Sequence, residues 1–143
     1  MDSKKLCLLH IEDDQVDRLV VERFLKKMSI VSVIHHAANG AEALDKLKGT
    51  NGQTKLEPMP NIVLADINMP MINGIEFLIE MRKDPDLSHM VVYMITTSSD
   101  TEDISNAYKQ HVAGYIIKPI ELSDFENTFK TIEDFWKICV FPK

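Results

Sequence analysis

Residues 6–14 read Leu6-Cys7-Leu8-Leu9-His10-Ile11-Glu12-Asp13-Asp14. A short, almost continuously apolar run stops abruptly at three carboxylates. A strand covered on one face alternates apolar and polar residues, whereas a strand covered on both faces does not. The stretch therefore reads as a buried strand of a parallel sheet that delivers a cluster of acids to the rim at its carboxyl end.

Four more runs of the same kind follow: Val31 to His35, Ile62-Val63-Leu64-Ala65, Met90 to Ile95, and Gly114 to Ile117. Segments with helical spacing separate them. Val16, Leu19, Val20 and Phe24 recur at that spacing, then Ala43, Leu44 and Leu47, then Ile75, Leu78 and Ile79. Asp100 reads as the cap of a helix running to about His111. Ser123 and Glu126 read as a capping box for the last helix, which carries Phe125, Phe129, Ile132 and Trp136 on one side. Strand and helix alternate five times, which predicts an α/β fold: a doubly wound, five-stranded parallel sheet with right-handed crossovers and helices on both faces. Gly49 to Pro60, GTNGQTKLEPMP, is dense in turn formers and reads as an exposed connection. No internal repeat or linker appears, so residues 1–143 read as a single domain with no separate output domain.

Composition narrows the function. The chain has 143 residues, 45% hydrophobic and 27% charged, the balance of a globular domain with a sizeable core. A net charge of -6 argues against direct nucleic-acid binding, which needs a basic footprint. No apolar run approaches the roughly 20 residues that cross a bilayer. The polar start, Met1 to Lys5, shows no signal peptide. Cys7 and Cys139 lie near opposite ends, which does not suggest a disulfide framework and fits a reduced, cytoplasmic setting. The histidines at 10, 35, 36, 89 and 111 lack metal-ligand spacing and read as structural. Adjacent strand residues such as His35 and His36 point to opposite faces.

In open α/β sheets, ligands bind outside the carboxyl ends of the strands. Glu12, Asp13 and Asp14 follow the first strand. Asp66 and Asn68 end the third, Thr96, Thr97 and Ser98 the fourth, and Lys118 and Pro119 the fifth. Grouped carboxylates repel unless a cation joins them. Oxygen donors suit a hard divalent ion such as Mg²⁺, which binds one or two carboxylates together with phosphate. A carboxylate is also a nucleophile toward phosphorus, and a metal and a lysine neutralise the transferring group. Each residue has a plainer reading alone: Asp14 as a helix N-terminal acid, Lys118 as a surface lysine, Thr96 as a strand former. Their meeting at one rim favours the chemical reading.

This set, Glu12-Asp13, Asp66, Thr96 and Lys118-Pro119, resembles the receiver domain of two-component response regulators. The segment Asp66-Ile67-Asn68-Met69-Pro70-Met71-Ile72-Asn73-Gly74 is similar to that family's phosphoacceptor motif, and the likeness extends from about Lys5 to Trp136. The resemblance implies a flavodoxin-like (βα)5 fold of strand order 2-1-3-4-5. It implies that Asp66 accepts a phosphoryl group from a sensor histidine kinase or phosphotransfer protein, with self-directed phosphotransfer and autodephosphorylation in place of enzymatic turnover. It assigns Mg²⁺ to Glu12, Asp13, Asp66 and the Asn68 carbonyl. It makes Thr96 the switch hydroxyl, Lys118 the phosphoryl counter-ion and Tyr115 the switch aromatic, with a cis Lys118–Pro119 bond. Output would pass to a downstream protein through the fourth helix, fifth strand and fifth helix.

Glu12 stands where the family more often has Asp, and Thr97 is bulkier than its usual counterpart. The Gly49–Pro60 connection and the Phe135-Trp136 ending resemble small stand-alone receivers paired with bacterial phytochromes, some of which form homodimers through the last helix region. Phe129, Ile132 and Trp136 also read simply as core.

Three rivals remain. A phosphatase with an Asp nucleophile wants a second Asp two residues on, where Asn68 stands. A flavodoxin-like cofactor binder wants a phosphate loop after the first strand, where three acids stand. A pseudo-receiver would only bind partners.

Overall fold

The computed structural model describes residues 5–142. The polar start of the chain, read above as carrying no signal peptide, lies outside the described residues except for Lys5. Five strands and five helices alternate: β1 (Leu6–Ile11), α1 (Gln15–Lys26), β2 (Val31–Ala37), α2 (Gly40–Lys48), β3 (Ile62–Ala65), α3 (Gly74–Lys83), β4 (Val91–Thr96), α4 (Thr101–Lys109), β5 (Gly114–Ile117) and α5 (Leu122–Ile138). The strands form one parallel sheet in the order β2-β1-β3-β4-β5.

The continuously apolar strands are covered on both faces, as their composition requires. Leu6, Leu8, Ile62, Leu64 and Ile95 pack with Val21, Phe24 and Leu25 of α1 and Phe129 and Trp136 of α5. Leu9, Ile11, Val63, Val92 and Met94 pack with α2 and with Phe77, Leu78 and Met81 of α3. Stacked Phe24, Phe125 and Phe129 rings join α1 to α5.

Several helix details differ from the sequence reading. The buried side of α1 centres on Val21, Phe24 and Leu25, while Val16 and Leu19 are exposed. Asp100 caps α4 as expected, accepting from the Glu102 N–H. The Ser123–Glu126 box is absent: α5 opens at Leu122 with Glu121 as N-cap and no side-chain cap bond. Ser123 is already inside the helix, and a capping residue needs an extended backbone. A complete capping box stands instead at Asn73 and Glu76 of α3. The cis peptide among the described residues is Glu57–Pro58, and Lys118–Pro119 is trans, correcting the expectation. Trans is the form an X–Pro bond prefers by about 0.5–1 kcal/mol.

The Gly49–Pro60 connection is largely exposed, with Gly49 closing α2 in the left-handed region. Its far end is tied down: the Pro58 carbonyl accepts from Cys7 Sγ at 3.5 Å and faces His35 Nε2 at 2.9 Å.

Candidate functional site

The register of parallel strands sets the site. Ile11 pairs with Ala65, so β1 and β3 end level with one another. Met94 is the β4 residue opposite Ala65, and β4 runs two residues further, to Thr96, which pairs with Ile117 at the end of β5. The residues just beyond those ends share one rim. Gly74 permits this closeness at α3, because a Cβ there would stand 2.2 Å from the Asp66 carbonyl oxygen.

Glu12, Asp13 and Asp66 each offer an oxygen within 4.8 Å of the others. Glu12 and Asp66 are buried and Asp13 is exposed. Lys118 reaches in from the end of β5 and is itself buried. Its Nζ lies 2.5 Å from Glu12 Oε1, 3.2 Å from Asp17 Oδ2 and 3.3 Å from Asp66 Oδ2. The other Asp66 oxygen accepts from the Ile67 N–H at 2.7 Å, and Glu12 Oε2 accepts from the Asp14 N–H at 3.2 Å. Asp14 also caps α1, accepting from the Asp17 N–H, which is the plainer role the sequence allowed it.

Burial pushes the Glu12 carboxyl up to about 7; the Lys118 hydrogen bond opposes that and the Asp66 charge reinforces it. Burial pulls the other way on Lys118. The Glu12 hydrogen bond and the charges of Asp66, Glu12 and Asp17 outweigh it, and the ammonium is held above the ordinary lysine range. One ammonium does not balance this many carboxylates, so the donor set fits a divalent cation with oxygen ligands.

The hydroxyl side is built around Ser98. Thr96 is fully buried, and its Oγ1 accepts from the Ser98 N–H at 3.3 Å. Tyr115 donates its hydroxyl to the Ser98 carbonyl at 3.0 Å, and Ser98 Oγ donates to Asp103 of α4 at 2.7 Å. The residues named as switch elements thus meet through one loop residue. Thr97 and Asn68 are exposed on the rim.

Residues 8–130 match the response regulator receiver domain. The chain belongs to that family. This receiver is 33% identical over 129 residues to the response regulator Rcp1 of Synechocystis, covering 90% of this chain and 87% of that one. It is 30% identical over 112 residues to the chemotaxis protein CheY1 of Helicobacter pylori, covering 78% and 84%. Its fold matches the crystal structure of the Mn²⁺-bound form of Rcp1 with a TM-score of 0.87 at 30% identity, covering 96% of this chain and 99% of that one. It matches the phosphorylated cyanobacterial phytochrome response regulator RcpA with a TM-score of 0.85 at 28% identity, covering 97% and 99%. The receiver is thus a two-component signalling domain, similar to regulators named for phytochromes.

The sequence reading missed Asp17 as a partner of Lys118. A carboxylate three residues past the capping Asp14 was the available signal. It also missed the buried His10–Glu22 pair beneath the site, which the partly exposed Arg18 joins: Glu22 Oε2 lies 3.1 Å from His10 Nδ1 and 3.0 Å from Arg18 Nε. The other histidines fit the structural reading: His36 Nε2 contacts the Glu12 carbonyl, His35 the Pro58 carbonyl, and His89 and His111 are exposed.

Proposed function

We propose that Asp66 accepts a phosphoryl group from a sensor histidine kinase or a phosphotransfer protein, and that the acyl phosphate switches the binding of a downstream protein. The observation that carries the reading is the single ammonium of Lys118 shared by Glu12 and Asp66 at a rim of converging carboxylates. An Asp66 oxygen forms a bond to phosphorus while the donor's P–N bond breaks. Lys118 shifts its hydrogen bonds from carboxylate to phosphoryl oxygen, and the Thr96 hydroxyl donates to another. Glu12, Asp13, Asp66 and the Asn68 carbonyl would hold Mg²⁺, which when bound would supply positive charge for the transferring group. Later hydrolysis of the acyl phosphate resets the domain.

Readout follows from the Ser98 junction. A Thr96 hydroxyl drawn to the phosphoryl group loses its bond from the Ser98 N–H, and the loop carrying the Tyr115 acceptor moves with it. The affected surface is α4, β5 and α5. We place the domain in the cytoplasm, acting as a single receiver across residues 1–143. A second copy of the chain is proposed as a further partner through the end of α5, where Phe135, Ile138 and Val140 are exposed.

Incubation with acetyl phosphate and Mg²⁺, followed by intact-protein mass, tests the reading. The expected result is one added phosphoryl group that depends on Mg²⁺ and is absent in Asp66→Asn. A protein that gains no phosphoryl group from acetyl phosphate or from kinases would instead be a pseudo-receiver that binds partners only.

A further inference from the structure

Asp17 is the contact at the rim that the chemistry above leaves unused. It lies in the first turn of α1, fixed by the bond from its own N–H to the capping Asp14 carboxylate at 2.9 Å. Acids favour the first turn of a helix through the macrodipole. That explains a carboxylate at this position but not its aim, 3.2 Å from an ammonium delivered by β5 at the far side of the site.

Lys118 has three N–H donors and no acceptor. All three face carboxylates: Glu12, Asp17 and Asp66. To reach a phosphoryl oxygen on Asp66, the ammonium has to give up or share one of these. Glu12 holds it by the shortest contact and is 1% exposed. Asp66 is the group being phosphorylated. Asp17 is the outermost of the three, with a side chain 43% exposed, and it draws the ammonium toward α1.

We propose that Asp17 is a positioning residue that competes with the incoming phosphoryl group for Lys118 and restrains phosphorylation of Asp66. This rests on Lys118 being the phosphoryl counter-ion, as proposed above. The charge of Asp17 acts in the same direction, because a carboxylate and a phosphoryl dianion placed around one ammonium repel each other. Solvent at Asp17 screens part of that effect, so the restraint is moderate rather than absolute.

The test is phosphorylation of the full chain by acetyl phosphate with saturating Mg²⁺, followed by intact mass over time. In Asp17→Asn the half-saturating donor concentration is expected to fall by on the order of three- to tenfold, as for a half-exposed charge pair. Asp17→Glu, which keeps the charge, is expected to stay near the wild type. In a Lys118→Ala background, observed at long incubation, Asp17→Asn is expected to change the donor requirement by less than about twofold, because the two residues act as one unit. A helix-stability role would move none of these readings in that pattern. An Asp17→Asn protein that matches the wild type, or needs more donor, overturns the proposal. So does a gain that persists at full size without Lys118, since Asp17 would then act on the donor directly. If the wild type takes up phosphoryl and Asp17→Asn behaves like it, only this inference fails. If the wild type takes up none, the Asp66 reading fails and this one with it.

Discussion

His10 sits fully buried in β1 and pairs only through Nδ1, with Glu22; its Nε2 has no hydrogen-bond partner among the described residues. Burial lowers its affinity for a proton, and the Glu22 hydrogen bond only partly opposes that. The folded protein therefore keeps the ring neutral, with Nδ1–H donating to the carboxylate. An unfolded chain takes up a proton as pH falls below about 6.5. Stability from this group is thus present above that pH and is lost as pH falls, approaching about 1.4 kcal/mol per pH unit for one proton. Urea unfolding at several pH values should show this extra acid sensitivity in the wild type and its loss in His10→Leu. Equal acid sensitivity in both proteins would rule the idea out. The role of His10 was not legible in the sequence. It depends on a carboxylate from another element, Glu22, arriving beneath the strand. Glu12, Asp13, Asp66, Thr96 and Lys118 were legible because each falls at a strand end, where register alone brings them to one rim. Asp17 was not, because its aim depends on how α1 lies across the end of β5.

At the scale of elements, the strands were easier to read than the helices. A doubly covered strand announces itself by its apolar run, and β1, β3 and β5 begin and end where their runs do. A helix face is set by packing, and two apolar residues of α1, Val16 and Leu19, turn to solvent while Glu22 turns in toward His10. The cap of α5 was misplaced by a residue pattern that fits a box but falls inside the helix. The start of α3 carries the sharpest local constraint. An added Cβ at Gly74 would also meet Ile67 Cα at 2.9 Å, and both nearest atoms are backbone that yields poorly. Gly74→Ala is expected to cost about 1–3 kcal/mol, the range for overpacking a filled site. Since the strained neighbour is the Asp66 peptide, acetyl phosphate uptake should fall as well. A variant with wild-type unfolding and wild-type uptake would show that α3 shifts freely, contrary to its packing.

For the molecule as a whole, the fold keeps two surfaces apart. The phosphoacceptor rim lies at the carboxyl ends of the strands. The end of α5 reaches the opposite side, where Ile138 and Val140 line a cavity with Leu6 at the start of β1. A tail used for self-association would therefore leave Asp66 open to a donor. The buried side of α5 is already committed, with Trp136 against Tyr93 at 5.8 Å between ring centroids and Phe129 in the core. Phe135 and Ile138 are left over from that packing and stand exposed. Exposed aromatic and aliphatic residues grouped at one end of a helix are the kind of patch that protein contacts cover. The proposed homodimer predicts that the wild type sediments as a dimer, and that Phe135→Glu with Ile138→Glu gives a monomer. Both proteins should unfold alike and take up phosphoryl from acetyl phosphate at similar rates. A wild type that remains monomeric at high concentration with Asp66 phosphorylated and unphosphorylated would assign this end of α5 to a different protein. A double variant that stays dimeric would place the contact elsewhere, with the α4–β5–α5 surface, where Tyr108 and Ile117 are exposed, the next to be changed.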